Sequence, residues 1–241
     1  SLPFSLRVKY LIKNTKIEES EALIYKCTNI WAKSLLKLAG VKINVHGIEN
    51  IPKDKTVLFV GNHQGNFDMP RVIGFISKIE VEKIPVVKTW MTFMHCVFMD
   101  RSNLRKSSES IIKGIKLLKD NHSLVIFPEG TRSRGIGMHH FKAGSFKIAQ
   151  KVDAKMVILA IDGSYRKRLT LPFIYTPVYV KIVDVVDTNS IANENTQELA
   201  TKYEMLVKQV QLDIRNKHKE MRTSKKDEEK FLIQKEKENV F

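Results

Sequence analysis

Cysteine is scarce in this chain of 241 residues: Cys27 and Cys96 are the whole supply. Two thiols make no disulfide framework, and neither sits in a CxxC or Cys/His cluster with zinc spacing. A stapled miniprotein is excluded, no metal site is expected, and a reducing interior is the expected home. Long apolar runs are lacking too. Uncharged stretches such as Thr89–Met99 and Leu169–Val180 fall well short of the ~20 apolar residues that a helix needs to cross a bilayer. Residue 1 is Ser rather than Met, which leaves room for a trimmed upstream anchor or tag. Acidic side chains are in deficit, with 26 Asp and Glu against 41 Lys and Arg, for a net charge of +15. That surplus fits three acidic partners: nucleic acid, an anionic membrane surface or a phosphorylated small substrate. It also fits a merely solvated, lysine-rich surface. The chain has no zinc finger, RNP-type aromatic motif or GXXG loop, so no nucleic acid is expected.

What is present suits one sizeable domain, because 43% hydrophobic and 28% charged residues allow a buried core and exclude disorder throughout. Residues 17 to 39 read as a helix, with Ile24, Trp31, Leu35 and Leu38 at spacings of 7, 4 and 3 and Gly40 as the stop. With the apolar-basic segment Leu2–Lys13 before it, this makes a helical hairpin whose stripe either packs on the core or dips into a membrane interface. Short β-branched runs then alternate with helical ones. Strands are expected at Val41–Val45, Val57–Val60, Val97–Met99, Leu124–Phe127, Val157–Ile161 and Val178–Val183. Helical segments are expected around Pro70–Ser77, Asn103–Lys119 and Lys142–Lys151. The pattern predicts an α/β fold: a central mixed, partly parallel sheet flanked by helices, an N-terminal helical hairpin and a long, charged C-terminal helix. The expected division is 1–40 for the hairpin, 41–192 for the α/β core and 193–241 for a charged helical tail, solvated or frayed after His218.

Strand Val57–Val60 runs straight into Gly-Asn-His-Gln-Gly-Asn-Phe-Asp, residues 61 to 68. A strand that ends in glycines and polar residues delivers side chains to the rim where open α/β sheets place their sites. On a continuous helix His63 and Asp68 would point about 140° apart, so they meet only across a turn, and Gly65-Asn66 is turn chemistry. If they meet, the carboxylate fixes the imidazole tautomer and stabilises its protonated form. No serine or cysteine stands beside them, so the pair suits a general base acting on a hydroxyl that the substrate brings. The competing reading makes Asp68 a helix N-cap before Met69-Pro70 and His63 an ordinary loop residue.

A second strand end supplies Phe127-Pro128-Glu129-Gly130-Thr131-Arg132-Ser133, where Gly130 lets backbone N–H groups approach an anion and Arg132 can fork onto phosphate. Phe141-Lys142-Ala143-Gly144 opens the next helical segment, and a helix N-terminus attracts anions. A third strand end carries Phe98-Met99-Asp100-Arg101. One base and two arginines on one rim make a site for a phosphorylated alcohol.

In this order, Asn62 to Asp68, Phe98 to Arg101, Phe127 to Ser133 and Phe141 to Gly144 resemble the glycerolipid acyltransferase family, most closely its bacterial 1-acyl-sn-glycerol-3-phosphate (lysophosphatidic acid) acyltransferases. The likeness runs from about residue 43 to 183. It departs at Ile84-Pro85-Val86-Val87-Lys88-Thr89-Trp90, which has an extra residue and no glycine, at His95, where glycine is usual, and at Val157–Ile161, which lacks a proline. The resemblance implies that His63 is the base and that Asp68 orients it. It implies that Arg101, Glu129, Gly130, Thr131 and Arg132 surround the acceptor's phosphate. It further implies a fatty acyl thioester of acyl carrier protein or coenzyme A as co-substrate, lysophosphatidic acid as acceptor, and no metal or cofactor. The enzyme is then expected peripherally on the cytoplasmic face of the cell membrane, against its anionic surface. Alternatives are another lysolipid or glycerol 3-phosphate as acceptor, or a non-catalytic basic protein that binds membranes or nucleic acid.

Overall fold

A computed structural model describes residues 2–65, 74–135, 137–166 and 175–238, with 219–238 as backbone alone. Asp68, half of the expected pair, lies outside the described residues, as does the first half of the Leu169–Val180 stretch. Two helices, α1 (Leu2–Lys13) and α2 (Ile17–Leu38), precede strands β1 (Val41–His46), β2 (Val57–Gly61) and β3 (Gly74–Lys78). Helix α3 (Pro85–Phe93), strand β4 (Val97–Met99), helix α4 (Leu104–Lys119) and strand β5 (Leu124–Ile126) follow. The short helix α5 (Phe146–Ala149), strands β6 (Lys155–Asp162) and β7 (Thr176–Asp187), and helix α6 (Thr196–Glu238) complete the order.

The strands form one mixed sheet, ordered β1-β7-β6-β2-β5-β3-β4. All neighbours are parallel except β6 and β7, which run antiparallel with a register shift between Ile158 and Leu159. The parallel strands β2, β4 and β5 therefore end on one edge of the sheet, and the three sequence blocks leave it there together. Side chains alternate across the sheet. Leu58, Val60, Leu124, Ile126, Met156 and Ile158 face α4, α5 and α6 in one cluster; Val57, Val157, Leu159, Ile161 and Val178 join Ala39 and Val41 in the other. Burial on both faces explains why β6 reads as an unbroken apolar run.

Three segments differ from the pattern expected of them. The 70–77 segment is not a helix where it is described: from Gly74 it is β3, inserted between β5 and β4. Its short apolar run fits either period, and pairing with two neighbours decides. Helix α3 starts with Pro85 at its first turn, a good start signal, but its nine residues are too few to set a clear helical period. The 142–151 segment yields just the four residues of α5 after a 3₁₀ turn at Ala143–Ser145. The long C-terminal helix is present, and its first turns pack into the core through Leu199, Ala200, Tyr203 and Val207.

The N-terminal hairpin uses a narrower stripe than the apolar spacing implied. Ser5, Val8 and Leu11 of α1 and Ser20, Ile24 and Thr28 of α2 are buried, whereas Trp31 is 63% and Leu38 61% exposed. Val8, Leu11 and Ile24 are the large apolar side chains the hairpin buries, with Ser5, Ser20 and Thr28 beside them. No described helix is long and apolar enough to cross a membrane. The thiol of Cys96 is pushed up to about 12 by burial, so it stays protonated and unreactive at neutral pH.

Candidate active site

Beyond β2 the pleat sends alternate side chains to opposite neighbours. Asn62, fully buried, brackets Ile161 of β6: its Nδ2 donates to the Ile161 carbonyl at 2.9 Å and its Oδ1 accepts from the Ile161 N–H at 2.7 Å. Gln64 does the same one step further on, donating to Asp162 Oδ1 at 3.1 Å and accepting from the Gly163 N–H at 2.9 Å. His63, between them, turns towards the end of β5, where its ring stacks on Phe127 with centroids 4.3 Å apart and planes at 15°. Gly65 has no room for a side chain, because a Cβ there would lie 2.9 Å from the Ser164 carbonyl oxygen.

The 127–133 loop meets His63 from the other side. The Gly130 N–H donates to the Phe127 carbonyl at 2.9 Å, closing a turn with Pro128 and Gly130 where turns favour them. Gly130 has φ +71°, which glycine adopts without strain. The turn folds Glu129 inward, 3% exposed. Its Oε1 accepts from the His63 N–H and its Oε2 from the His139 N–H at 2.8 Å. The Ser133 N–H donates to the His63 carbonyl at 2.7 Å, so the backbone of His63 is held on both sides.

Two cations flank Gly130. A Cβ built there would meet Lys142 Nζ at 3.2 Å and Arg101 Nη1 at 3.6 Å, so the absent side chain leaves a space bordered by an ammonium and a guanidinium. Lys142 is held in place by its own N–H, which donates to the Pro128 carbonyl at 3.1 Å. Desolvation lowers the Arg101 pKa and Glu80 opposes it, but a guanidinium stays charged at any working pH. The neighbouring Asp100 carboxylate is turned onto Ser102, 2.6 Å from its hydroxyl and 3.1 Å from its N–H, and these bonds hold it below the usual carboxylate range. Thr131 and Arg132 lie exposed on the same loop. The structure thus brings His63, Glu129, Gly130 and Arg101 to one edge. It adds Lys142, whose signal was the Phe141–Gly144 block. That block was read as a helix start, but α5 is too short to act as an anion-binding terminus and the side chain itself supplies the charge.

Helix α6 braces this edge from behind at two points. Glu204 accepts from the Phe141 N–H at 2.7 Å and lies 2.9 Å from His140 Nδ1, fixing the segment that leads to Lys142. Arg215 places Nε and Nη2 at 3.1 and 2.9 Å from Asp162 Oδ1, with Arg166 Nη2 3.3 Å from Oδ2. Asp162 is wholly buried and also accepts from Gln64, the residue after His63. No local signal reveals this brace, because its partners stand 53 residues apart. Removing one member of a buried ion pair typically costs about 3–5 kcal/mol, since the other is left charged without a partner. Arg166 stays 3.3 Å from Asp162 in Arg215→Met, so stability should fall by less than that, about 1–3 kcal/mol in denaturant titrations, and Asp162→Asn combined with it should recover part of the loss.

The acyltransferase family model matches residues 42–162 of the chain. Among curated proteins, the 1-acyl-sn-glycerol-3-phosphate acyltransferase of Borreliella burgdorferi is 37% identical over 134 residues, covering 52% of this chain and 53% of that protein. The probable 1-acyl-sn-glycerol-3-phosphate acyltransferase of Mycoplasma pneumoniae is 33% identical over 198 residues, covering 70% of this chain and 73% of its own length. The crystal structure of the 1-acyl-sn-glycerophosphate (LPA) acyltransferase PlsC from Thermotoga maritima superposes with a TM-score of 0.69 at 25% identity, covering 89% of this chain and 95% of that one. The matched region runs from β1 to the end of β6 and carries all three strand-end blocks, and the chain belongs to the acyltransferase family.

Proposed function

We propose that this protein is a 1-acyl-sn-glycerol-3-phosphate O-acyltransferase, which moves a fatty acyl group from a thioester to the free hydroxyl of lysophosphatidic acid and gives phosphatidic acid. The observation that carries this reading is the juxtaposition of a rigidly held histidine with a glycine flanked by two cations: a base beside an anion site is what a phosphorylated alcohol requires. His63 takes the hydroxyl proton as the oxygen attacks the thioester carbonyl, the tetrahedral intermediate collapses, and the departing thiolate takes the proton back from the imidazolium. The reaction balances without a metal or prosthetic group. Asp68, five residues on, orients the imidazole and stabilises its charged form. Arg101, Lys142 and Arg132 hold the phosphate, with Gly130 and Thr131 offering backbone and hydroxyl contacts. Glu129 acts as a positioning residue, since both its oxygens accept from backbone amides.

The acceptor reaches the site from a lipid surface. Phe4, Leu6, Tyr10, Trp31 and Leu38 are exposed on the hairpin beside Arg7, Lys9, Lys33 and Lys37. That mixture suits an interfacial helix pair, each cation contributing on the order of 1 kcal/mol near an anionic leaflet. We place the enzyme peripherally on the cytoplasmic face of the membrane, where an acyl carrier protein or coenzyme A thioester is at hand.

Lysolipid acceptors of different head group, offered with either donor and read by mass spectrometry, test the assignment. Phosphatidic acid should be the dominant product, and a preference for glycerol 3-phosphate or a phosphate-free lysolipid would reassign the acceptor. His63→Ala should lower turnover by ~10²–10⁴ with the melting temperature unchanged, the range for loss of a positioned base. Near-parent turnover in that variant would remove His63 from the chemistry. Arg101→Met or Arg132→Met should raise KM for lysophosphatidic acid and leave a phosphate-free acceptor unaffected; equal losses on both acceptors would make the arginines structural. Trp31→Glu with Leu38→Glu should cut co-sedimentation with anionic vesicles about tenfold or more and leave the melt intact, because withdrawing one apolar side chain from lipid forfeits about 1.5–3 kcal/mol. Unchanged sedimentation would move the membrane contact off the hairpin.

A further inference from the structure

The sheet edge opposite His63 carries a second cluster that acyl transfer does not use. His95 and His122 stand just before β4 and β5, at the ends of those strands remote from Arg101 and Phe127. Glu21 of α2 closes over them. One ligand atom from each of the three lies within 4.8 Å of the other two. The imidazoles stack with centroids 3.7 Å apart, and His95 Nε2 is 4.0 Å from Glu21 Oε1. The cluster opens on a groove of about 410 Å³ walled also by Tyr25, Thr28 and Ser123.

Backbone geometry singles out the same place. Helix α3 ends with the Cys96 N–H donating to the Met91 carbonyl at 2.9 Å and the His95 N–H to Thr92 at 3.1 Å. Helix α4 ends identically, His122 donating to Leu117 at 2.9 Å and Asn121 to Leu118 at 3.2 Å. These paired bonds need a left-handed residue after each helix, normally glycine or asparagine. Asn121 meets that need at φ +64°, but at the equivalent point of α3 the residue is His95, at φ +58°. Glycine would serve the backbone there with less strain. What the histidine adds is a ring, placed against His122, and a strained residue retained beside a cleft points to a use for its side chain.

Two imidazoles and one carboxylate, with a position left for water, are a donor set that favours zinc and its borderline neighbours over magnesium or calcium. To share an ion the two rings must leave the stack by rotating about their Cβ–Cγ bonds, so that their in-plane lone pairs converge. We propose that Glu21, His95 and His122 bind one divalent transition-metal ion of the zinc class, and that the ion clamps the N-terminal hairpin to the sheet. The three ligands come from α2, from the turn after α3 and from the turn after α4, so the ion ties the membrane-facing hairpin to the scaffold without entering the catalytic edge.

Metal-stripped full-length protein titrated with Co²⁺ tests this directly. One equivalent should bind with visible ligand-field bands of low-coordinate cobalt, Zn²⁺ should displace it, and Mg²⁺ should not. Zn²⁺ should also raise the melting temperature and slow tryptic cleavage within the hairpin. Glu21→Gln and His122→Gln should each weaken binding by about tenfold or more and abolish the protection. His95→Gly, which suits the left-handed backbone and so keeps the fold, should lose the cobalt spectrum altogether. Absence of saturable binding at one equivalent would overturn the proposal, as would a spectrum that survives in His95→Gly and His122→Gln.

Discussion

A single buried carboxylate organises the sheet edge where β2 and β5 end. Glu129 accepts from the backbone N–H of His63 and from that of His139, and so joins the ends of two different strands and the segment that follows. Hydrogen bonds to a charged acceptor are shorter and stronger than neutral ones, and at 3% exposure this carboxylate has little water to turn to. Two of its donors come from segments that meet in this arrangement. The His63 ring then lies against Phe127, and Gly130 comes beneath Arg101 and Lys142. The histidine, the turn and the cationic space are therefore consequences of one constraint.

The same logic extends to α6. Its apolar stripe enters the core through Leu199, Tyr203 and Val207, and its polar side chains on the way reach two points of the rim. Glu204 fixes the chain before Lys142; Arg215 satisfies the buried Asp162, which in turn accepts from Gln64 next to His63. A buried pair of this kind adds little net stability over an apolar pair of the same shape, but it admits few alternative arrangements. It suits a helix that must hold distant loops in register.

The two edges of the sheet divide the labour. At the carboxyl ends of β2, β4 and β5 the loops gather His63, Glu129 and cations; at the amino ends of β4 and β5 the turns after α3 and α4 meet the hairpin. The sheet thus keeps the hairpin contact and the His63 loop on opposite edges of one scaffold.

Amphipathic and apolar patterns by themselves determined the hairpin, most of the strands, helix α4, the long last helix and the mixed α/β class, because period and punctuation are local properties of the chain. The residues at the strand ends were equally legible: a strand that stops in Gly-Asn-His or Phe-Pro-Glu-Gly announces a rim. Pairing decided the rest. Gly74–Lys78 became a strand because β5 and β4 accept it on both sides, and Trp31 stayed outside while Ser20, Ile24 and Thr28 form the buried stripe of α2. Tertiary structure alone gave Glu129 its two amides, Lys142 its place over Gly130, Asp162 its arginine from α6, and Glu21 its two histidines. Most of these contacts join residues far apart in the chain, and even the nearer ones lie beyond one helical or strand period, so no local periodicity carries information about which groups a buried charge or an imidazole will meet.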